Sequence, residues 1–109
     1  MVSYHVHKEE DGIRIECLLN QESVGNCDIS IINKTAFIEL FAFDTIQQQE
    51  QLAMFLMGYT LHVLKSEVEI VKSFPGFSLV HEQKKNHLIE LYTQFGFQKQ
   101  NETYVLRLI

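Results

Sequence analysis

A chain of 109 residues, 46% hydrophobic and 21% charged, has the balance of a globular protein and the length of one domain, 1–109, built on a single core. Its net charge of −5 argues against the clustered Lys and Arg of a nucleic-acid or anionic-membrane surface, and no apolar run reaches the roughly 18 residues of a membrane span. The N-terminus lacks the basic, apolar and small-residue regions of a signal peptide, so the expected location is the cytoplasm.

In chain order, Val2, Tyr4, Val6 and Lys8 alternate with Ser3, His5 and His7, as in an edge or half-exposed strand. Glu9 to Gly12 is a turn. Ile13, Ile15, Cys17 and Leu19 then point one way, with Arg14, Glu16 and Leu18 opposite, giving a second strand. A third strand runs from about Val24 to Ile32, with Cys27, Ile29 and Ile31 on one face. Asn33-Lys34 suits a two-residue hairpin loop, because Asn tolerates the left-handed conformation such turns need. This loop sets Ile31 against Ala36, Ile29 against Ile38 and Cys27 against Leu40. Extended backwards, the pairing brings Cys17 to Cys27 and Ile15 to Ile29, so that three strands share a continuous apolar face. The fourth strand, Thr35 to Phe43, is also apolar on its other face through Phe37, Phe41 and Phe43, and cover on both faces is expected. A disulfide between Cys17 and Cys27 is geometrically conceivable. The reading as two small buried hydrophobes in a reducing compartment is preferred.

Asp44-Thr45 can cap a helix whose first turns are Gln47 to Gln51 and whose body is Leu52 to Leu64. Its expected core stripe is Leu52, Phe55, Leu56, Tyr59 and Val63, widened by Ala53, Met54 and Met57. Val68 to Phe74 is a fifth strand, ended by Pro75-Gly76 and followed by a loop from Phe77 to Val80. Leu88, Leu91, Tyr92 and Phe95 then recur at i, i+3, i+4 and i+7 on a second helix, and Gly96 reads as the residue just past its end. Phe97 to Gln100, a turn at Asn101-Glu102 and Tyr104 to Ile109 close the chain. His5 and His7 share a strand face, and His81 and His87 flank the start of the last helix. None stands at a spacing to Cys, Asp or Glu that recurs in metal sites, so no metal ligands are expected. Neither cysteine opens a helix or sits in a basic pocket, which leaves a Cys-His nucleophile unsupported.

Leu91-Tyr92-x-x-Phe95-Gly96-Phe97, followed by a short strand and Tyr104-Val105-Leu106-Arg107-Leu108, resembles the C-terminal motif of the GNAT superfamily, the acetyl-CoA-dependent N-acetyltransferases. The resemblance extends over roughly residues 13–109. It implies an α/β (α+β) fold with a mixed, mostly antiparallel central sheet of six to seven strands and two helices, in the order ββββαβαβ(β). Full members carry a helical segment between the first two strands that helps build the acceptor site; here Glu9 to Gly12 joins those strands directly.

The resemblance also implies where acetyl-CoA would sit. The family's Q/R-x-x-G-x-G/A stretch, whose backbone N–H groups approach the pyrophosphate at a helix start, lands on Gln48-Gln49-Glu50-Gln51-Leu52-Ala53. Gln48 and Ala53 fit the pattern. Gln51 replaces the central glycine, and Glu50 adds a negative charge beside the expected phosphates. The fourth strand near Phe41 and Phe43 would hold the pantetheine arm through its backbone. Tyr92 matches the tyrosine that often donates a proton to the departing sulfur, with packing as its alternative role, and Glu39 is the candidate base. Lys85 and Leu88 stand where many members have Asn and Ala.

Two functions from different classes follow. One is a small N-acetyltransferase acting on an unidentified small-molecule or protein amine. The other is a catalytically inactive GNAT-like module that binds a protein or small ligand through its aromatic fourth strand and Pro75-Gly76-Phe77. An open sheet edge could pair with a second copy, making a homodimer the oligomer to look for.

Overall fold

The computed structural model describes residues 1–43, 49–74 and 82–108. Among these residues, seven strands and two helices follow one another as β1 (Val2–Lys8), β2 (Gly12–Leu19), β3 (Glu22–Ile32), β4 (Thr35–Phe43), α1 (Gln49–Leu64), β5 (Ile70–Ser73), α2 (Glu82–Gln94), β6 (Gln98–Gln100) and β7 (Thr103–Arg107). One sheet takes all the strands in the order β1-β2-β3-β4-β5-β7-β6, and only the β4–β5 pairing is parallel. This is the expected mixed, mostly antiparallel architecture. The fifth strand is shorter than its sequence pattern, and the proposed cap at Asp44-Thr45 and the helix start at Gln47 lie outside the described residues.

Two tight turns set the antiparallel half. Asn33 (φ 50°) and Lys34 (φ 63°) form the anticipated two-residue loop, and Ile31 faces Ala36 as expected. Asn20 (φ 52°) and Gln21 (φ 72°) form a second loop of the same kind, so the β2–β3 turn is tighter than the sequence suggested. The register therefore moves: Cys17 pairs with Gly25, Ile15 with Cys27 and Ile13 with Ile29, with a bulge at Val24. Because the shift is an even number of residues, the apolar face survives. Cys17 and Cys27 no longer oppose one another, and both are buried free thiols.

A second bulge changes β4. Ile29 pairs with Ile38 but Asp28 pairs with Leu40, so Glu39 is the extra residue and Cys27 faces Phe41 rather than Leu40. Beyond the bulge the two faces exchange their residues. Phe41 and Phe43 pack on the core side, while Leu40 emerges on the outer face at 41% exposure. The expected apolar outer row of Phe37, Phe41 and Phe43 is thus broken, and no described element covers that face. Gly25, opposite Phe43, is needed here for space: a Cβ would lie 2.5 Å from a Phe43 ring carbon and 2.7 Å from the Ala42 carbonyl oxygen.

Both helices pack on the same side of the sheet and share one core with it, in which Leu52, Leu56, Met57 and Leu64 of α1 and Leu91 and Tyr92 of α2 meet Ile15, Cys27, Ile29, Ala36, Ile38 and Val71. The core face of α1 differs from the expected stripe. Leu56, Met57, Thr60 and Leu64 are fully buried, whereas Phe55 is 47% exposed. Apolar residues surround this helix, so periodicity could not choose the buried side. At the sheet edge, Tyr4 of β1 stacks on Tyr59 of α1 with ring centroids 4.2 Å apart.

Candidate functional site

The last turn of α2 is fixed by its own sequence. Gly96 adopts φ +93°, its N–H donates to the Thr93 carbonyl (3.1 Å), and the Phe97 N–H donates to the Tyr92 carbonyl (3.0 Å). This pair of bonds is a Schellman cap, and its usual apolar contact is present as the Tyr92 and Phe97 rings, 4.9 Å apart. The same tyrosine packs against Tyr104 of β7, with centroids 5.9 Å apart. Tyr92 is fully buried.

Its hydroxyl meets β5. Ser73 Oγ donates to Tyr92 Oη at 2.7 Å, which leaves the phenolic proton available to another acceptor. Burial raises the tyrosine well above its ordinary range, and the hydrogen bond to Ser73 offsets part of that rise. The phenol is therefore a proton donor at neutral pH and not a phenolate.

Ser73 occupies a particular place in the sheet. The parallel ladder joins Thr35 to Ile70, Ala36 to Val71, Phe37 to Lys72 and Ile38 to Ser73, and there it stops. β4 continues through Glu39 to Phe43, where β3 is its one strand partner among the described residues. Beyond that rung, the backbone edge of residues 39–43 that faces away from β3 has no strand ladder among the described residues. The Tyr92 hydroxyl, through Ser73, marks the point where β4 and β5 part.

The other expected site residues are dispersed around this point. Phe41 and Phe43 touch each other edge to face at 5.8 Å on the unladdered half of β4. Glu39 lies on the outer face, where its Oε1 accepts a hydrogen bond from Ser30 Oγ at 2.7 Å. It is therefore on the opposite side of the sheet from Tyr92, and nothing links the two directly. Gln48 lies outside the described residues. Gln49 opens α1, Gln51 is exposed and Ala53 is partly buried in its first turns. Burial pushes the Cys27 thiol up to about 12, only partly offset by the adjacent Thr60 hydroxyl, so it is not a nucleophile at neutral pH.

Sequence reasoning missed Ser73, because nothing local connects a strand-end serine to a helix 19 residues later. It also missed Glu16 as a neighbour of His5 and His7. Spacing along the chain hides that relation; the antiparallel register, which sets His5 opposite Glu16, creates it.

Among the described residues the sheet has one parallel strand pair, β4–β5, with α1 following the longer strand, and this arrangement is the fold of solved N-acetyltransferases of the GNAT superfamily. Solved structures agree. The ribosomal-protein-S18-alanine N-acetyltransferase from Escherichia coli superposes with a TM-score of 0.77 over 93% of this chain and 72% of its own, at 14% identity. The aminoglycoside 6'-N-acetyltransferase from Enterococcus faecium gives 0.74 over 93% and 75%, at 11% identity. The PaiA N-acetyltransferase from Thermoplasma acidophilum, in complex with coenzyme A, gives 0.68 over 87% and 58%, at 13% identity. No family model matches the sequence, and no curated protein does.

Proposed function

We propose that this chain is a small acetyl-CoA-dependent N-acetyltransferase whose pantetheine channel is the gap beyond the Ile38–Ser73 rung. The observation that carries the reading is the coincidence, at one rung, of the end of the parallel ladder and the buried Ser73–Tyr92 hydrogen bond. In this reading the backbone of residues 39–43 takes the arm as a further strand would. Tyr92 approaches the thioester from the helix side, and Glu39 faces the acceptor side. The amine nitrogen attacks the carbonyl carbon, a C–N bond forms and the C–S bond breaks. The amine proton passes to Glu39, directly or through water, and Tyr92 supplies a proton to the departing thiolate. The acyl acceptor is an amine of unassigned class. Cytoplasmic location and a homodimer are expectations that accompany this reading.

The reading is tested by melting the protein in the presence of coenzyme A. A ligand at ten times its Kd adds about 1.4 kcal/mol, so a clear upward shift in Tm is expected. Gln51→Gly, which restores the family's glycine, should enlarge it. An unchanged Tm at millimolar coenzyme A in both proteins overturns the proposal.

The second reading, a catalytically inactive GNAT-fold module, is favoured by the outer face of the sheet. Leu40 (41%) and Phe74 (38%) are exposed there, and β1 runs into β2 through a short turn where family members place helices. Absence of any coenzyme A response would favour this reading.

A further inference from the structure

On the outer face at the opposite end of the sheet, away from Tyr92, alternation along β1 projects His5 and His7 to the same side, and the β1–β2 register places Glu16 directly across from His5. Glu16 Oε1 lies 3.8 Å from His5 Nδ1 and 3.7 Å from His7 Nε2. One ligand atom from each of the three residues falls within 4.8 Å of the others. The two rings stand edge to face, 6.1 Å apart.

These separations exceed a hydrogen bond and approach the spacing of ligands around a metal. Zinc bonds of about 2.0–2.1 Å in tetrahedral geometry hold neighbouring donor atoms about 3.3–3.4 Å apart. Both imidazoles are more than half exposed, so small ring rotations close the remaining distance without disturbing any packing. The carboxylate is less free. Its side chain is 26% exposed, against 63% and 51% for the two imidazoles. Arg14, the nearest cation in the register, is directed away to Asp28 at 3.5 Å.

We propose that His5, His7 and Glu16 form a binding site for one Zn²⁺ ion, with water completing its coordination, and that the bound ion ties the edge strand β1 to β2. Two imidazoles and one carboxylate select borderline cations such as Zn²⁺, Ni²⁺ and Cu²⁺ over Mg²⁺ and Ca²⁺, which prefer all-oxygen sites. The chain's net charge of −5 favours a cation in general. Only the three-residue cluster provides specificity.

Calorimetric titration of the untagged full chain with Zn²⁺ should give saturable binding of one ion per chain, and Mg²⁺ should give none. Co²⁺, used as a spectroscopic stand-in, should develop the visible bands of a low-coordinate site. Glu16→Gln and the double variant His5→Ala/His7→Ala should each weaken Zn²⁺ binding at least tenfold. Circular dichroism should report an unchanged fold, since His5 and His7 are exposed and the Glu16 change keeps its shape. Zn²⁺ binding by the double variant as tight as that of the parent would place the ion on His62, His81 or His87 and overturn the proposal. So would the absence of Zn²⁺ binding by the parent chain.

Discussion

The two halves of β4 differ in how they are paired and in what they bury. From Thr35 to Ile38 the strand is paired on both sides, and Ala36 and Ile38 are buried in the core. From Glu39 to Phe43 it is laddered on one side among the described residues, it starts with a bulge, and Leu40 is exposed. The first half holds the sheet together. The second half has a strand ladder on its β3 side alone among the described residues, and the bulge at Glu39 lies between the two.

Substitutions on either side of the bulge should separate these roles. The largest effect is expected at Ile38→Ala, where loss of a buried side chain between two paired strands should cost about 2–5 kcal/mol in chemical denaturation. The next involves pH. The Cys27 thiol ionises near 9 in an unfolded chain and near about 12 in the folded protein. Below pH 9 both states keep the proton and stability is unaffected. Between 9 and about 12 only the unfolded state releases it, so stability should fall by on the order of 1 kcal/mol per pH unit. Tyr92 adds a loss of the same sign from about pH 10 upward, because its folded value is also raised. Denaturation curves across this range should be steeper for the parent than for Cys27→Ala.

Tyr92→Phe should cost about 1 kcal/mol, since it removes the hydrogen bond to the buried Ser73. Combining it with Ser73→Ala should cost less than the sum of the two changes, and a double-mutant cycle measures the difference. The smallest change is expected at Leu40→Ser, within about 0.5 kcal/mol, because this half of the strand lends its outer face to nothing described. A loss near that of Ile38→Ala would erase the contrast between the halves.

The same contrast explains what could be read from the amino acids. Asn33-Lys34 and Gly96 carry their conformations in their chemistry, so one hairpin and the end of α2 were legible directly. Tyr92 was legible as a core-facing residue of α2 through its place before Gly96. The bulges at Val24 and Glu39 were not, because alternation does not reveal where an extra residue enters a ladder, and one such residue sends Phe41 and Phe43 to the other face. The buried side of α1 was hidden by apolar residues all round. Ser73 and Glu16 gain their meaning only from residues that topology brings beside them.

The borders of the sheet are unequal as well. At one end β6 is three exposed residues, Gln98-Lys99-Gln100, too short and too charged to recruit another strand. At the other, β1 presents seven residues with no neighbour on their free side. Among the described residues β1 is thus the longer free border, and β1 against β1 is the pairing by which two copies would join side by side. Such a union would be symmetric, each copy offering the same strand to the other, and would close on itself as a pair.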